Sequence, residues 1–536
     1  MNQTEIRRKQ VQAIVYLFSL ITIMIIARLT GYHGVTYVAC AVEIYFFVSI
    51  LVSGGVIDAL SRILRSRNSK GQYRNAESMR RNAFLVQILF GILGTLAIWA
   101  MASSVSEKLF HIRYSVLILS LLAPAVLLNT LSSLFIGYVR GEGVDLAGAI
   151  AGVLRQLLII GLSFLFCGLF RNYGIKVSHL LGQENFIYMY AGVGFTIAVL
   201  LSEVIITLLL VLLFIFIKKH KKNERQEGLK KKDTIFYSIR ILCINRLAGA
   251  VVMMAMLLPF PTGLLLLQKT AVDLEEIATC YGMYLAVYVV ICALPAILVS
   301  IAVLPVCGKT MSLIRKEENR YAKTVFQSGV HAGIVYGVYA TVLLTVLSKP
   351  MAELICGTTE DVDIAVKMIA GGASVILFSV LMIYFIRILV LTGKKGFVIA
   401  VVYLADLFFA LMTYLFLNSG NAGILALVYA GILTTGIVCM IFGTMAYHQM
   451  RQRMDWLQVV ILPVGVSCIA GLLTMLVGKL LLPHLGNLFA VFLCLLISMT
   501  VYFAGLLLLR NFSEQELEIF PGGRWISLVG QTLKVF

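Results

Sequence analysis

The residues best placed to do chemistry are ionisable side chains deep inside apolar runs: Glu43, Arg155, Glu203, Arg246 and Asp406. A charge at the centre of a bilayer costs about 2.5–3.5 kcal/mol on insertion scales, so such a residue faces a partner or a polar cavity. Arg28, nearer the end of its run, joins Arg155 and Arg246 in one reading, a cationic lining. A guanidinium grips phosphate oxygens in pairs, so that lining suits an anionic, phosphate-bearing head group. The other reading of Arg155 and Glu203 is a structural ion pair between neighbouring helices. Asp406 is the only acid deep in the second half of the chain. It reads either as a site for a coupling cation, Na+ or H+, or as the partner of an arginine such as Arg246. Pro124 and Pro295 fall mid-run, where a missing N–H kinks a helix, and are hinge candidates. Arg113, Arg240, Lys367, Arg387 and Lys479 lie nearer run ends, within snorkelling reach of the interface.

Covalent chemistry finds little support. Gly308-Lys309-Thr310 resembles the end of a phosphate-binding loop, but Val303 stands where that loop needs its first glycine. The chain has no HExxH, and no GxSxG with strand and helix flanks. The seven histidines are scattered, and the ten cysteines include no CxxC and mostly sit in apolar runs as small hydrophobes. The acidic run Glu360-Asp361-Val362-Asp363 reads as a solvated loop before a helix N-terminus. The expectation is a protein that is not an enzyme and holds no metal or organic cofactor.

The elements that would carry these residues are membrane helices. Of 536 residues 60% are hydrophobic and 13% charged, with a mean hydropathy of +0.95. Those values exclude a soluble enzyme and a disordered chain. Fourteen apolar runs are long enough to span a bilayer: 11–30, 36–54, 83–103, 112–138, 146–170, 187–217, 238–267, 280–306, 325–348, 364–391, 396–417, 423–446, 457–481 and 487–509. The first has no small-residue cleavage pattern and reads as a retained span. With both termini cytoplasmic, inside segments carry 31 Lys and Arg and outside segments 5, as the positive-inside rule requires of a cell-membrane protein. The net charge of +18 belongs to these loops and their contact with anionic lipid, not to nucleic acid. The basic stretch from Arg62 to Arg81 is expected to lie along lipid head groups.

The chain also repeats. Lys70-Gly-Gln-Tyr-Arg-Asn-Ala76 before the third run matches Lys316-Glu-Glu-Asn-Arg-Tyr-Ala322 before the ninth. The same offset of 246 pairs Gly91 with Gly337, Thr95 with Thr341 and Glu107 with Glu353. Six runs per repeat keep both halves in one orientation, a parallel pseudo-two-fold repeat. The expected fold is therefore an all-α polytopic membrane protein. It has an N-terminal lobe (1–217), a basic linker (218–237), a C-terminal lobe (238–447) and two extra helices with a tail (448–536).

Certain motifs resemble a known family. Ser53-Gly-Gly-Val-Ile-Asp-Ala-Leu-Ser-Arg-Ile-Leu64, followed by Lys70–Ala76, looks like the second-span exit of the multidrug/oligosaccharidyl-lipid/polysaccharide exporter superfamily. Phe135-Ile-Gly-Tyr-Val-Arg-Gly-Glu-Gly143 resembles its glycine-rich turn after the fourth span. Tyr281-Gly-Met-Tyr284, Leu294-Pro295 and Leu304-Pro305 resemble its eighth span. The branch is the one containing stage V sporulation protein B and the lipid II flippase. The resemblance implies two six-helix lobes around a cavity open to one side of the membrane at a time, with two extra helices forming a groove for a polyprenyl tail. It implies a monomeric flippase for a polyprenyl-diphosphate-linked oligosaccharide or peptidoglycan precursor. Arg28 is similar to the first-span arginine of the family's flippases. The second and eighth spans lack the mid-membrane arginines found there, and Glu43 sits in the second. Asp406 matches the acid that some members place on the eleventh span at a sodium site. The rivals are a cation-coupled drug antiporter of the same superfamily, a membrane polysaccharide polymerase or ligase, and a scaffold. Fourteen spans, a basic interior and short outer loops weigh against the first two.

Overall fold

The computed structural model describes residues 3–220, 235–270, 274–357, 362–419, 422–452, 455–481, 484, 486–512, 514–523 and 526–527, and every regular element among them is a helix. Helices are what a bilayer imposes, because each backbone N–H and C=O must be bonded within its own segment. Among the described residues twelve helices are long and apolar enough to cross a membrane, or thirteen when a bent pair is taken as one span. The protein is therefore a multi-pass membrane protein. The chain divides into two compact units, Arg7–Gly282 and Met283–Phe536, the second also taking in Met1–Ile6. Most of the basic segment 218–237, where the sequence placed the seam between lobes, lies outside the described residues.

The N-terminal unit holds α1 (Gln3–Ser53), α2 (Val56–Ser69), α3 (Tyr73–Ser103), α4 (Ser115–Leu122), α5 (Pro124–Gly141), α6 (Ala147–Leu181), α7 (Asn185–His220), α8 (Ile235–Leu257), α9 (Pro259–Thr270) and α10 (Leu274–Met283). The 51 residues of α1 would measure about 75 Å if straight, over twice the hydrocarbon thickness. It breaks at Gly31, whose φ of 73° and ψ of 169° lie outside the helical region. That break splits it into the first and second predicted spans and brings the count to the fourteen expected. Glycine is suited here because a side chain resists positive φ.

The C-terminal unit holds α11 (Val290–Arg315), α12 (Asn319–Val346), α13 (Ser348–Cys356), α14 (Val362–Gly372), α15 (Val375–Leu391), α16 (Lys395–Asn418), α17 (Leu425–Met450), α18 (Leu462–Leu481), α19 (Asn487–Leu508) and a short α20 (Glu514–Leu517). Large apolar side chains face outward, such as Leu404, Leu407 and Leu411 on α16 and Leu472, Leu476 and Leu480 on α18. Lipid, not water, is the solvent such faces suit.

The internal repeat holds at the level of single hydrogen bonds. Thr95 donates to the carbonyls of Gly91 (3.0 Å) and Ala123 (3.2 Å). Thr341 donates to those of Gly337 (2.9 Å) and Ala373 (3.3 Å). Each threonine ties its helix to the junction between two consecutive helices. The first is the junction of α4 and α5 at Pro124, whose missing N–H frees the carbonyl of Ser120; the Trp99 indole N–H fills that vacancy at 2.8 Å. The second, 47° between α14 and α15, contains no proline. Its sequence signal is Gly371-Gly372, where the Tyr288 hydroxyl donates to the Gly372 carbonyl at 3.3 Å. Pro295, by contrast, lies within a helical stretch that runs from Glu275 to Ile314.

Two of the family-like motifs meet. Asp58 of α2 pairs with Arg140 of α5 at 2.5 Å, and Arg65 pairs with Asp145 at 2.6 Å while donating to the Arg140 carbonyl. Leu60 and Leu64 of α2 are buried against Gly137 and Gly141 of α5, leaving Arg62 and Arg65 exposed. In the C-terminal unit the tail is part of the core. His331 of α12, 2% exposed, meets Glu516 at 2.7 Å and Asn511 at 3.0 Å, with Phe512 and Phe520 against its ring.

Candidate functional site

The N-terminal unit brings two of the proposed residues together. Arg155, two turns into α6, places its Nε 3.1 Å from Glu203 Oε1 on α7. Its Nη2 donates to Ser132 Oγ of α5 at 3.1 Å. Glu203 is 4% exposed and Arg155 21%, so the carboxylate is the more deeply buried partner. The two are 48 residues apart in sequence and meet because α6 and α7 form a long hairpin that turns at Gly182. Tyr45 of α1 lies within electrostatic range of both. The arginine is thus neutralised at rest, and a phosphate would have to replace Glu203 or share the guanidinium fork with it.

Glu43 stands apart from that pair. It is 7% exposed, and Tyr281 of α10 donates to its Oε1 at 3.2 Å. The same hydroxyl lies 3.0 Å from the Phe260 carbonyl on α9. Spacing could not forecast this contact, because 238 residues separate the partners. It rests on a close crossing of α10 over the second half of α1. Thr36 donates to the Ala278 carbonyl at 2.5 Å, His33 and Thr279 meet at 2.9 Å, and Gly282 abuts the Tyr32 carbonyl. A Cβ on Gly282 would stand 2.0 Å from that oxygen, so only glycine permits the crossing.

The remaining candidates are dispersed. Arg28 is exposed, three residues before the Gly31 break. Arg246 belongs to α8, and its side chain lies outside the described residues. Asp406, mid-way along α16 in the C-terminal unit, is partly buried. Its Oδ2 is shielded from solvent and has no hydrogen-bond partner among the described residues. Glu360 and Asp361 of the acidic run also lie outside the described residues. Ser132 and Tyr281 were not among the sequence candidates. Ser132 carried no signal, whereas Tyr281 already stood in one of the family-like motifs.

The model of the polysaccharide biosynthesis protein family matches residues 10–311. No curated protein sequence matches the chain. Among solved structures, it is similar to an inward-facing multidrug resistance transporter of the MATE family, within the MOP superfamily. That match has 12% identity and a TM-score of 0.61 over 84% of this chain and 98% of the other. It is also similar to the lipid II flippase MurJ in an inward closed conformation, at 13% identity and a TM-score of 0.59 over 92% and 97% of the two chains. A eukaryotic MATE transporter aligns at 14% identity and a TM-score of 0.52, over 82% and 94%. At these identities the likeness shows a shared fold.

Proposed function

The chain belongs to the polysaccharide biosynthesis protein family, and from that premise we propose that it is an alternating-access flippase for a polyprenyl-diphosphate-linked oligosaccharide or peptidoglycan precursor. The observation that carries this reading is Arg155, a guanidinium inside a membrane helix with one carboxylate and one hydroxyl as its described partners. An incoming diphosphate can exchange with Glu203 for that fork, leaving the lipid tail in the bilayer. Arg28 and Arg246 would extend the anionic path, and Glu43 would border it. Asp406, whose buried Oδ2 has no hydrogen-bond partner among the described residues, is the proposed site of a coupling Na+ or H+. Pro124 and Pro295 would serve as hinges. The transporter would act as a monomer in the cytoplasmic membrane with both termini inside, its basic helix α2 resting on anionic lipid. No covalent step is required.

Native mass spectrometry of the detergent-purified chain tests this. The expected result is a retained polyprenyl-diphosphate glycan that is lost in Arg155→Ala and Arg246→Ala. Retention of phospholipid alone, with proteoliposomes that exchange cationic dyes for protons or sodium, would replace the reading with a drug antiporter. In the flippase case, Asp406→Asn should abolish dependence of transport on an ion gradient.

A further inference from the structure

We infer that Glu43 is a proton-binding site, and that its proton fastens α9 to the crossing of α10 over α1. The inference goes beyond the proposed function and does not depend on which substrate is carried. It begins with a count of hydrogens. The Tyr281 hydroxyl lies 3.2 Å from Glu43 Oε1 and 3.0 Å from the Phe260 carbonyl oxygen. A phenol has one proton to donate, and a carboxylate and a carbonyl can only accept. With Glu43 ionised, one of these two contacts holds oxygen against oxygen with no hydrogen between. With Glu43 protonated, its O–H donates to the tyrosine oxygen, and the tyrosine O–H donates to Phe260. Both bonds are then complete.

The surroundings favour the same state. Glu43 Oε2 is buried and has no hydrogen-bond partner among the described residues, so an ionised carboxylate would hold charge on an oxygen that none of them satisfies. The groups acting on Glu43 are Tyr281 from α10 and Cys40 on its own helix, and α9 offers the Phe260 carbonyl. None is a cation. Arg155 is engaged by Glu203 and Ser132. His33, another titratable group that α1 turns toward α10, bonds Thr279.

Protonation therefore has a mechanical consequence. The crossing of α10 over α1 is held independently of Glu43, by Thr36 with Ala278 and by the Gly282 approach to Tyr32. The variable contact is Tyr281 with Phe260, on α9. A proton taken up from water resides on Glu43, and the tyrosine proton turns to Phe260. On its release, the carboxylate draws the tyrosine proton back and α9 loses that bond. No other covalent bond changes.

The test uses the full chain in lipid nanodiscs, with infrared difference spectroscopy across a pH titration. The wild type should show a protonated-carboxyl band that titrates, is absent in Glu43→Gln and shifts in Tyr281→Phe. Hydrogen exchange of α9 amides should rise about tenfold as the band disappears, which is what one buried hydrogen bond is worth. In Glu43→Gln, whose amide can donate permanently to the tyrosine oxygen, α9 should stay protected at every pH. A spectrum that keeps every carboxyl band in Glu43→Gln would overturn the inference, as would pH-dependent α9 exchange in that variant equal to wild type. If Glu43→Gln does not fold, the band shift in Tyr281→Phe decides: a shift supports the site and an unmoved band overturns it. Absence of a bound glycan lipid in the mass spectrum would refute the flippase reading and leave these measurements standing.

Discussion

Removing Arg155 alone should cost far more than removing Arg155 and Glu203 together. The guanidinium and carboxylate are 3.1 Å apart, and the carboxylate is 4% exposed, its second oxygen lacking a hydrogen-bond partner among the described residues. Arg155→Ala leaves that carboxylate buried without its counter-ion, a situation that costs about 3–5 kcal/mol. Glu203→Ala leaves the arginine, which is 21% exposed and keeps Ser132, so the loss should be smaller, about 2 kcal/mol. Arg155→Met with Glu203→Leu replaces the pair by apolar groups and should lie within about 1 kcal/mol of wild type, because such swaps are often near neutral. The apolar double replacement should therefore cost about 4 kcal/mol or more less than the two single costs added together. Equilibrium unfolding of the four proteins in mixed detergent micelles measures it. Additive single costs, or singles below about 0.5 kcal/mol, would show a solvated pair and refute the reasoning. The double variant also separates structure from transport. It should fold and yet fail to retain the diphosphate lipid, whereas normal retention would make the pair structural only.

Three further perturbations follow from the packing. Gly282→Ala should destabilise the chain by about 3 kcal/mol, since its Cβ meets the Tyr32 carbonyl, while Gly161→Ala, with open space around it, should change little; thermal unfolding compares them. Thr95→Val and Thr341→Val each remove a hydroxyl that ties its helix to the junction between two consecutive helices, and should each cost about 1 kcal/mol, adding in the double variant because they lie in different units. His331→Ala removes a buried ring gripped by Glu516, Asn511 and two phenylalanines, and should cost about 3 kcal/mol and open the segment after α19 to protease; an equally resistant tail would refute its role as anchor.

Much of the architecture was legible because it follows from local composition. Apolar runs of sufficient length must become helices where no water can satisfy a backbone, and turns such as Gly31 and Gly393 are marked by residues that tolerate positive φ. The offset of 246 read from six identities returned as the same threonine bridge in each unit. Pro124 marks the junction of α4 and α5 through the N–H it lacks. The bend after Gly372 gave only a pair of glycines, a signal too common in membrane helices to single out.

The candidate site was legible in residue type and not in pairing. Insertion cost alone identifies Arg155, Glu203, Glu43 and Asp406 as residues that require an explanation, since that cost depends on depth in the bilayer and on nothing else in the chain. Whether Arg155 met Glu203 or stood free depended on the hairpin of α6 and α7 bringing two positions into register. That Glu43 faced a tyrosine hydroxyl rather than an arginine depended on α10 crossing α1 at Gly282. The sequence by itself determined a membrane-embedded, repeated helical chain, because hydrophobic transfer and backbone satisfaction act within each segment. Only the tertiary structure decided which buried charges are neutralised and by what, because electrostatic partnership is set by contacts of a few ångströms between helices distant in sequence.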